Sequence, residues 1–168
     1  MPANDTPNLE YLRTILDYAP ETGLFTWKVR KDVTKTWNTR YAGTLAHSVG
    51  SGNRIRISIG RVRYKAHRLA WAYVHGEIPL GMHIDHIDGD TSNNRIANLR
   101  LATHAQNAAN SRPRRPLKGA YPAPKGRWRS HIKVNQRLIY LGHFATETEA
   151  HAAYCTAARE YFGEFMRI

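Results

Sequence analysis

The sequence predicts an α+β fold in two small parts, each a short sheet with a helix, and three observations carry that prediction. Strand-like alternation and helix-like spacing interleave along the chain and neither dominates. A proline–arginine stretch at residues 111–116 interrupts both patterns. An alanine-rich segment with its own cap signal closes the second part. The expected organisation is therefore residues 1–110, a linker over 111–116, and residues 117–168.

The elements follow in order. Leu9, Leu12, Ile15 and Leu16 have the spacing of one helical face, predicting a helix over 9–18 that Pro20 and Gly23 end. Residues 24–29 are rich in β formers and read as a strand. Ile55, Ile57 and Ile59 alternate with Arg54, Arg56 and Ser58, the clearest strand pattern in the chain. Gly60-Arg61 then turns into 62–65, so a hairpin displays arginines on its polar face. A short apolar helix over 67–75 stops at Gly76 and Pro79. Next come a strand over 82–87, the turn Asp88-Gly89-Asp90, a polar loop over 91–94 and a second short strand over 96–101. Thr103 caps a helix reaching about Asn110.

Beyond 111–116, Trp128, Ile132 and Val134 face one way while Arg129, His131 and Lys133 face the other. Asn135-Gln136 turns into a strand over 138–144, where Ile139 and Leu141 continue the apolar face and Tyr140 joins the basic one. Thr146 and Glu149 form a capping box for a helix to about Phe162. The second part is thus a small sheet covered on one side, with its basic side left open.

Charge narrows the partner. The formal net charge is +12 and the pI about 10.2. No acidic residue stands between Thr91 and Thr146, a stretch with eleven Lys and Arg; from Lys28 to Arg68 another eleven face the single acid Asp32. Such asymmetry points to a polyanion, and to nucleic acid over an anionic membrane, because the cations lie in strands and loops instead of along an amphipathic helix. No apolar run approaches the ~20 residues of a membrane span. The N-terminus has no secretory signature, and the one cysteine, Cys155, fits a reducing cytosol. The expected location is cytoplasmic, nucleoid-associated in a bacterial host cell.

The chemistry concentrates between His83 and Asn107. Hydrolysing a phosphodiester needs a base for water, a positive centre for the phosphate and stabilisation of the leaving oxygen. A histidine serves the first need, and a hard divalent ion on carboxylate and amide oxygens serves the others. Neighbours on a strand point to opposite faces, so Asp85 and His86 act together only at a bend or strand end. Two other readings remain open on residues alone. Asp88, Asp90 and Asn93 have the look of a calcium loop, although its closing glutamate is missing; His83 and His86 with His75 or His104 are a possible zinc set.

The run His67-Arg68-Leu69-Ala70-Trp71, His75-Gly76, Pro79, Ile84-Asp85-His86-Ile87-Asp88-Gly89-Asp90, Asn93-Asn94-Arg95-Ile96, Asn98-Leu99-Arg100 and Gln106-Asn107 resembles the HNH nucleases of phages and mobile introns. Residues 21–27 also resemble their N-terminal portion, and the likeness covers about residues 8–110. It implies a ββα-metal nuclease domain with Asp85 as a metal ligand, His86 as the general base, Asn98 as the asparagine that pins the loop, and Asn107 as the second ligand in place of the last histidine. That exchange favours Mg²⁺ or Mn²⁺ over a softer metal. His83 is expected beside the site and not in it. Arg68 is a candidate phosphate contact.

The segments Lys118-Gly119-Ala120-Tyr121, Arg127-Trp128-Arg129, Ile132-Lys133-Val134, Tyr140-Leu141-Gly142-His143-Phe144 and Ala157-Ala158-Arg159 are similar to an AP2-type DNA-binding domain over 117–168. This implies a three-stranded sheet in the major groove, with Lys118, Arg129, His131, Lys133 and Tyr140 facing DNA, helped by Arg127, Arg137, Arg112, Arg114 and Arg115. The expected protein is a metal-dependent endonuclease of double-stranded DNA, monomer or homodimer, of homing type. Its rival is a regulatory protein that binds DNA without cutting it.

Overall fold

The computed structural model describes residues 6–111 and 117–167. The chain divides into two compact units, Met1–Leu101 and Ala102–Ile168.

In the first unit, Asn8 accepts from the amides of Glu10 (2.9 Å) and Tyr11 (3.1 Å) and so caps helix α1 (Leu9–Ile15). The helix is shorter than expected. Residues 16–18 belong instead to strand β1 (Leu16–Ala19), antiparallel to β2 (Leu24–Trp27) in the register Leu16↔Trp27 to Ala19↔Leu24. Leu16 is apolar in either reading. The alternation of buried Leu16 and Tyr18 with exposed Asp17 and Ala19 has period two, and pairing with β2 decides for the strand. Helix α2 (Lys35–Tyr41), capped by Thr34, was not signalled by apolar spacing because it buries no residue.

Strands β3 (Ser48–Val49), β4 (Ile55–Ile59) and β5 (Val62–Lys65) form an antiparallel sheet in that order. Helix α3 (Ala66–His75) buries Ala66, Leu69, Ala70 and Ala72. Strand β6 (His83–His86) pairs with β7 (Leu99–Ala102). The latter begins three residues after the expected 96, because Ile96–Asn98 form a 3-10 turn. Leu12, Ile15, Leu16, Phe25, Ile57, Leu69, Ile84 and Leu99 meet in one core. Burying each of these side chains contributes about 1.5–3 kcal/mol.

In the second unit, Thr103 and Gln106 form a reciprocal capping box (Thr103 N to Gln106 Oε1 2.8 Å, Gln106 N to Thr103 Oγ1 3.2 Å) that starts α4 (His104–Asn110). Strands β8 (Ala120–Ala123), β9 (Arg127–Val134) and β10 (Arg137–Phe144) make an antiparallel sheet in the order β10-β9-β8. Helix α5 (Glu147–Phe162) starts at the Thr146/Glu149 box and covers the sheet, with Ile132, Tyr154, Ala157, Ala158 and Phe162 at the core. Ala109 of α4 packs into this same core. The division therefore falls before α4, not after residue 110 as expected. Residues 112–116, the heart of the expected linker and home of Arg112, Arg114 and Arg115, lie outside the described residues. No helix among the described residues is long and apolar enough to cross a membrane.

Candidate active site

Strand β6 ends where chemistry begins. Ile84, Asp85 and His86 are all buried, and the strand stops at His86, whose carbonyl accepts from Gly89 N at 2.9 Å as the chain turns. Gly89 has φ 68°, a left-handed conformation that glycine adopts without steric cost. The strand end demanded by adjacent working residues is thus present.

Asp85 Oδ2 accepts from Arg100 Nε of β7 at 3.0 Å, and both side chains are mostly buried. Removing one partner of such a pair costs about 3–5 kcal/mol, because the other charge stays desolvated. Arg100 therefore fixes the position of the buried carboxylate. The spacing Asn98-x-Arg100 stood in the sequence, but nothing there assigned Arg100 to Asp85.

His86 is oriented by Asn94, which is 2% exposed. Asn94 Nδ2 donates to Ser92 O at 3.3 Å, which turns Oδ1 toward the ring, 3.2 Å from His86 Nε2. An amide oxygen only accepts, so Nε2 carries the hydrogen and Nδ1 the lone pair. Tyr18 of β1 donates its hydroxyl to Asn94 O at 2.7 Å. The ring of His67 stands edge-on to His86, with centroids 4.9 Å apart. Burial, then the positive fields of His86, Lys65, Arg68 and Arg54, pushes His67 down to about 3, so it stays neutral at physiological pH.

The loop after β6 is held by Asn98 and Asp88. Asn98 Nδ2 donates to Asp88 Oδ1 (2.9 Å) and Asn93 O (2.9 Å), while Asn98 Oδ1 accepts from Asp88 N (3.1 Å). Asp88 also accepts from Asp90 N (2.7 Å) and Asn93 Nδ2 (2.7 Å). Burial raises the Asp88 carboxyl, but these hydrogen bonds outweigh it and hold the group below its ordinary value. Asp90 is likewise held low by Ser92, whose amide and hydroxyl both donate to it. These carboxylates organise the loop itself. Among the described residues no three His, Cys, Asp or Glu side chains are grouped to hold a metal ion. Asp85 is the carboxylate that stands outside these loop hydrogen bonds, and an oxygen donor with no cysteine beside it suits a hard divalent ion better than zinc.

The remaining candidates separate. Arg68 is half-buried on α3, and Asn107 lies on α4 in the second unit. On the open face of the second sheet, Arg127, Arg129, Lys133 and Tyr140 are exposed, while Arg137, also exposed, stands across from Val134 in the register of the other face. His131 stacks on Tyr121 with centroids 4.3 Å apart and 7° between planes. It stands across from Tyr140, while Arg129 stands across from both Tyr121 and His143. The Tyr140 hydroxyl meets His143 Nδ1. Lys118 differs from the expectation of an exposed groove contact. Its ammonium donates to Ala109 O and Ser111 O at the end of α4, and burial lowers its pKa.

Residues 64–109 match the family model described as HNH endonuclease. An uncharacterized HNH endonuclease of Acanthamoeba polyphaga mimivirus is 31% identical over 116 residues, 68% of this chain and 61% of that protein. A Bacillus subtilis SPbeta prophage protein named for the HNH homing endonucleases is 42% identical over 48 residues, 29% of this chain and 28% of the relative. Among solved structures, that of the HNH homing endonuclease I-HmuI, concerned with DNA binding and cleavage, has a TM-score of 0.45 and 23% identity, covering 62% of this chain and 55% of that one. The chain spans about three-fifths of the mimivirus relative's length and less of the prophage protein's. The similarity to HNH endonucleases is centred on residues 64–109, within the first two-thirds of the chain.

Proposed function

We propose that the protein is a metal-dependent endonuclease of double-stranded DNA, of the homing type found in phages and mobile elements. The observation that carries this reading is the buried Asp85–His86 end of β6, with His86 held by Asn94 in the tautomer whose lone pair is on Nδ1.

His86 acts as general base: Nδ1 takes a proton from water, and the water oxygen bonds to phosphorus as the bond to the 3′ oxygen breaks. The departing oxygen takes a proton from solvent, leaving 5′-phosphate and 3′-hydroxyl ends, and His86 returns its proton to solvent. By their places in the motif Asp85 and Asn107 are the residues that would hold Mg²⁺ or Mn²⁺, an ion that when bound would supply positive charge for the phosphate and the leaving oxygen. Asn98 keeps the loop closed over the strand end. Arg100 keeps Asp85 oriented.

The second unit is read as an AP2-like module that lays its open face on duplex DNA, with Arg127, Arg129, His131, Lys133 and Tyr140 as contacts and Arg137, Arg112, Arg114 and Arg115 as supporting cations. A helix over one face of the sheet and cations on the other support that role.

Incubating supercoiled plasmid with protein and Mg²⁺, beside an EDTA control, tests the reading. Metal-dependent nicking or linearisation is expected, and His86→Ala should remove it while duplex binding stays within about twofold. Normal cutting by His86→Ala would overturn the assigned base; no cutting by the wild type on several substrates would leave only DNA binding.

A further inference from the structure

The β4–β5 hairpin presents a row of cations that the rest of its unit does not neutralise. Its register sets Arg56 opposite Lys65 and Ser58 opposite Arg63. Ile57 and Ile59 are buried on the other face, so Arg56, Arg63 and Lys65 share the polar one. Like charges directly across a strand pair destabilise it. Among the described residues no ion pair involves Arg54, Arg56, Arg61, Arg63, Lys65 or Arg68. The Nε atoms of Arg56 and Arg68 are buried with no hydrogen-bond partner among the described residues. A hairpin that accepts this repulsion is complementary to an anionic surface.

The row adjoins the cutting site. Lys65 leads directly into α3, whose His67 stands edge-on to His86. Arg54, Lys65 and Arg68 all exert their charge on His67. Thr91, in the loop after β6, donates its hydroxyl to Gly52 O at 2.7 Å, joining that loop to the segment entering β4. Alternate residues on a strand advance about 6.6 Å. Adjacent phosphates on one B-form strand lie at about that same distance, because each step adds the winding of the backbone to an axial rise of about 3.4 Å. Arg63 and Lys65 are therefore spaced to meet neighbouring phosphates.

We infer that the β4–β5 hairpin is a phosphate-contact surface for duplex DNA, holding the strand beside His86 through Arg56, Arg63 and Lys65. This rests on the nuclease reading and adds a binding surface within the first unit.

The test is binding of the full chain to a duplex of arbitrary sequence in EDTA across a salt series, for the wild type, Arg63→Gln/Lys65→Gln and the control Arg40→Gln. Each lost phosphate contact lowers the slope of log Kobs against log salt by about 0.9. The double variant should lose about 1.8 from the slope and bind several-fold more weakly, while Arg40→Gln stays at the wild-type slope. Matching melting curves keep the comparison to folded protein. An unchanged slope for the double variant, with a steep wild-type slope, overturns the inference alone. A slope loss seen with duplex RNA and not duplex DNA overturns the choice of partner. A wild type that shows no salt-dependent duplex binding overturns the nuclease reading with it.

Discussion

At the residue scale, the site turns on how one imidazole is held. Asn94 fixes the hydrogen on His86 Nε2, so its loss should let the ring change tautomer and rotate. Asn94→Ala is expected to lower the cleavage rate by about one to two orders of magnitude, the range typical of partners that orient a working histidine, with KM little changed. Asn94→Asp keeps an acceptor there and should recover much of the rate. Its negative charge favours the protonated ring, so the acidic limb of the pH–rate profile should move to higher pH. A variant pair with equal losses and unshifted profiles would assign Asn94 to loop structure alone. His67 gives a second handle. Its folded value lies at about 3 and its ordinary value at 6.5, so between these the unfolded chain takes up a proton that the folded chain does not. Its influence on stability is flat above pH 6.5 and becomes unfavourable as pH falls from there toward 3. The depressed carboxylates Asp32, Asp88 and Asp90 act in the same direction only nearer the ordinary carboxylate value of 3.8. The melting temperature should therefore drop between pH 6.5 and about 4.5, and His67→Phe, which keeps a ring beside His86, should flatten that drop. An identical drop in the variant would place the titration elsewhere.

At the element scale, the catalytic loop leans on the N-terminal hairpin. Gly23, at the β1–β2 turn, has φ 74°, and a Cβ there would lie 2.4 Å from Asn94 C and 2.5 Å from Arg95 N. Ile96 N donates to Pro20 O at 3.2 Å and Arg95 Nε to Glu21 O at 2.9 Å, so the turn grips the segment that carries Asn94. Gly23→Ala combines left-handed strain with a backbone clash and should cost at least about 2 kcal/mol. Gly60→Ala, also at positive φ but with nothing within 4 Å of the new methyl, should cost only about 1 kcal/mol. Equal melting losses for the two would remove the clash from the account; cleavage falling further for Gly23→Ala than its stability loss explains would tie the turn to His86. This grip also marks what the sequence made legible. The β4–β5 hairpin, α3, β9 and α5 announced themselves through periodicity and caps, because each turns one face to its core. The β1 strand did not, because Leu16 satisfies both a helical face and a strand face and only pairing with β2 selects one. Asp85, His86 and Asn98 were legible as a motif. Asn94 and Arg100 were not, since their roles lie in hydrogen bonds to residues eight and fifteen positions away.

At the scale of the whole molecule, the cation excess is shared. The first unit holds fourteen Lys and Arg against nine Asp and Glu, and the second eleven against four. An enzyme whose affinity came from one module alone would need no such balance in the other. The hairpin cations lie beside the site in one unit, while Arg129 and Lys133 line the open sheet face of the other. If both surfaces engage one duplex at the same time, their phosphate contacts release counterions together, and the losses in salt slope add. Arg129→Gln/Lys133→Gln should lower the slope by about 1.8 and, joined to Arg63→Gln/Lys65→Gln, by about 3.6, provided each removed charge had met one phosphate. A quadruple variant that loses no more than either double would mean that the two surfaces serve alternative DNA molecules. Full additivity means that one duplex spans both, and then shortening the duplex below the length that reaches both surfaces should reduce the wild-type slope to that of one of the double variants. That length dependence separates a two-surface grip on a single target from two independent DNA-binding units carried on one chain.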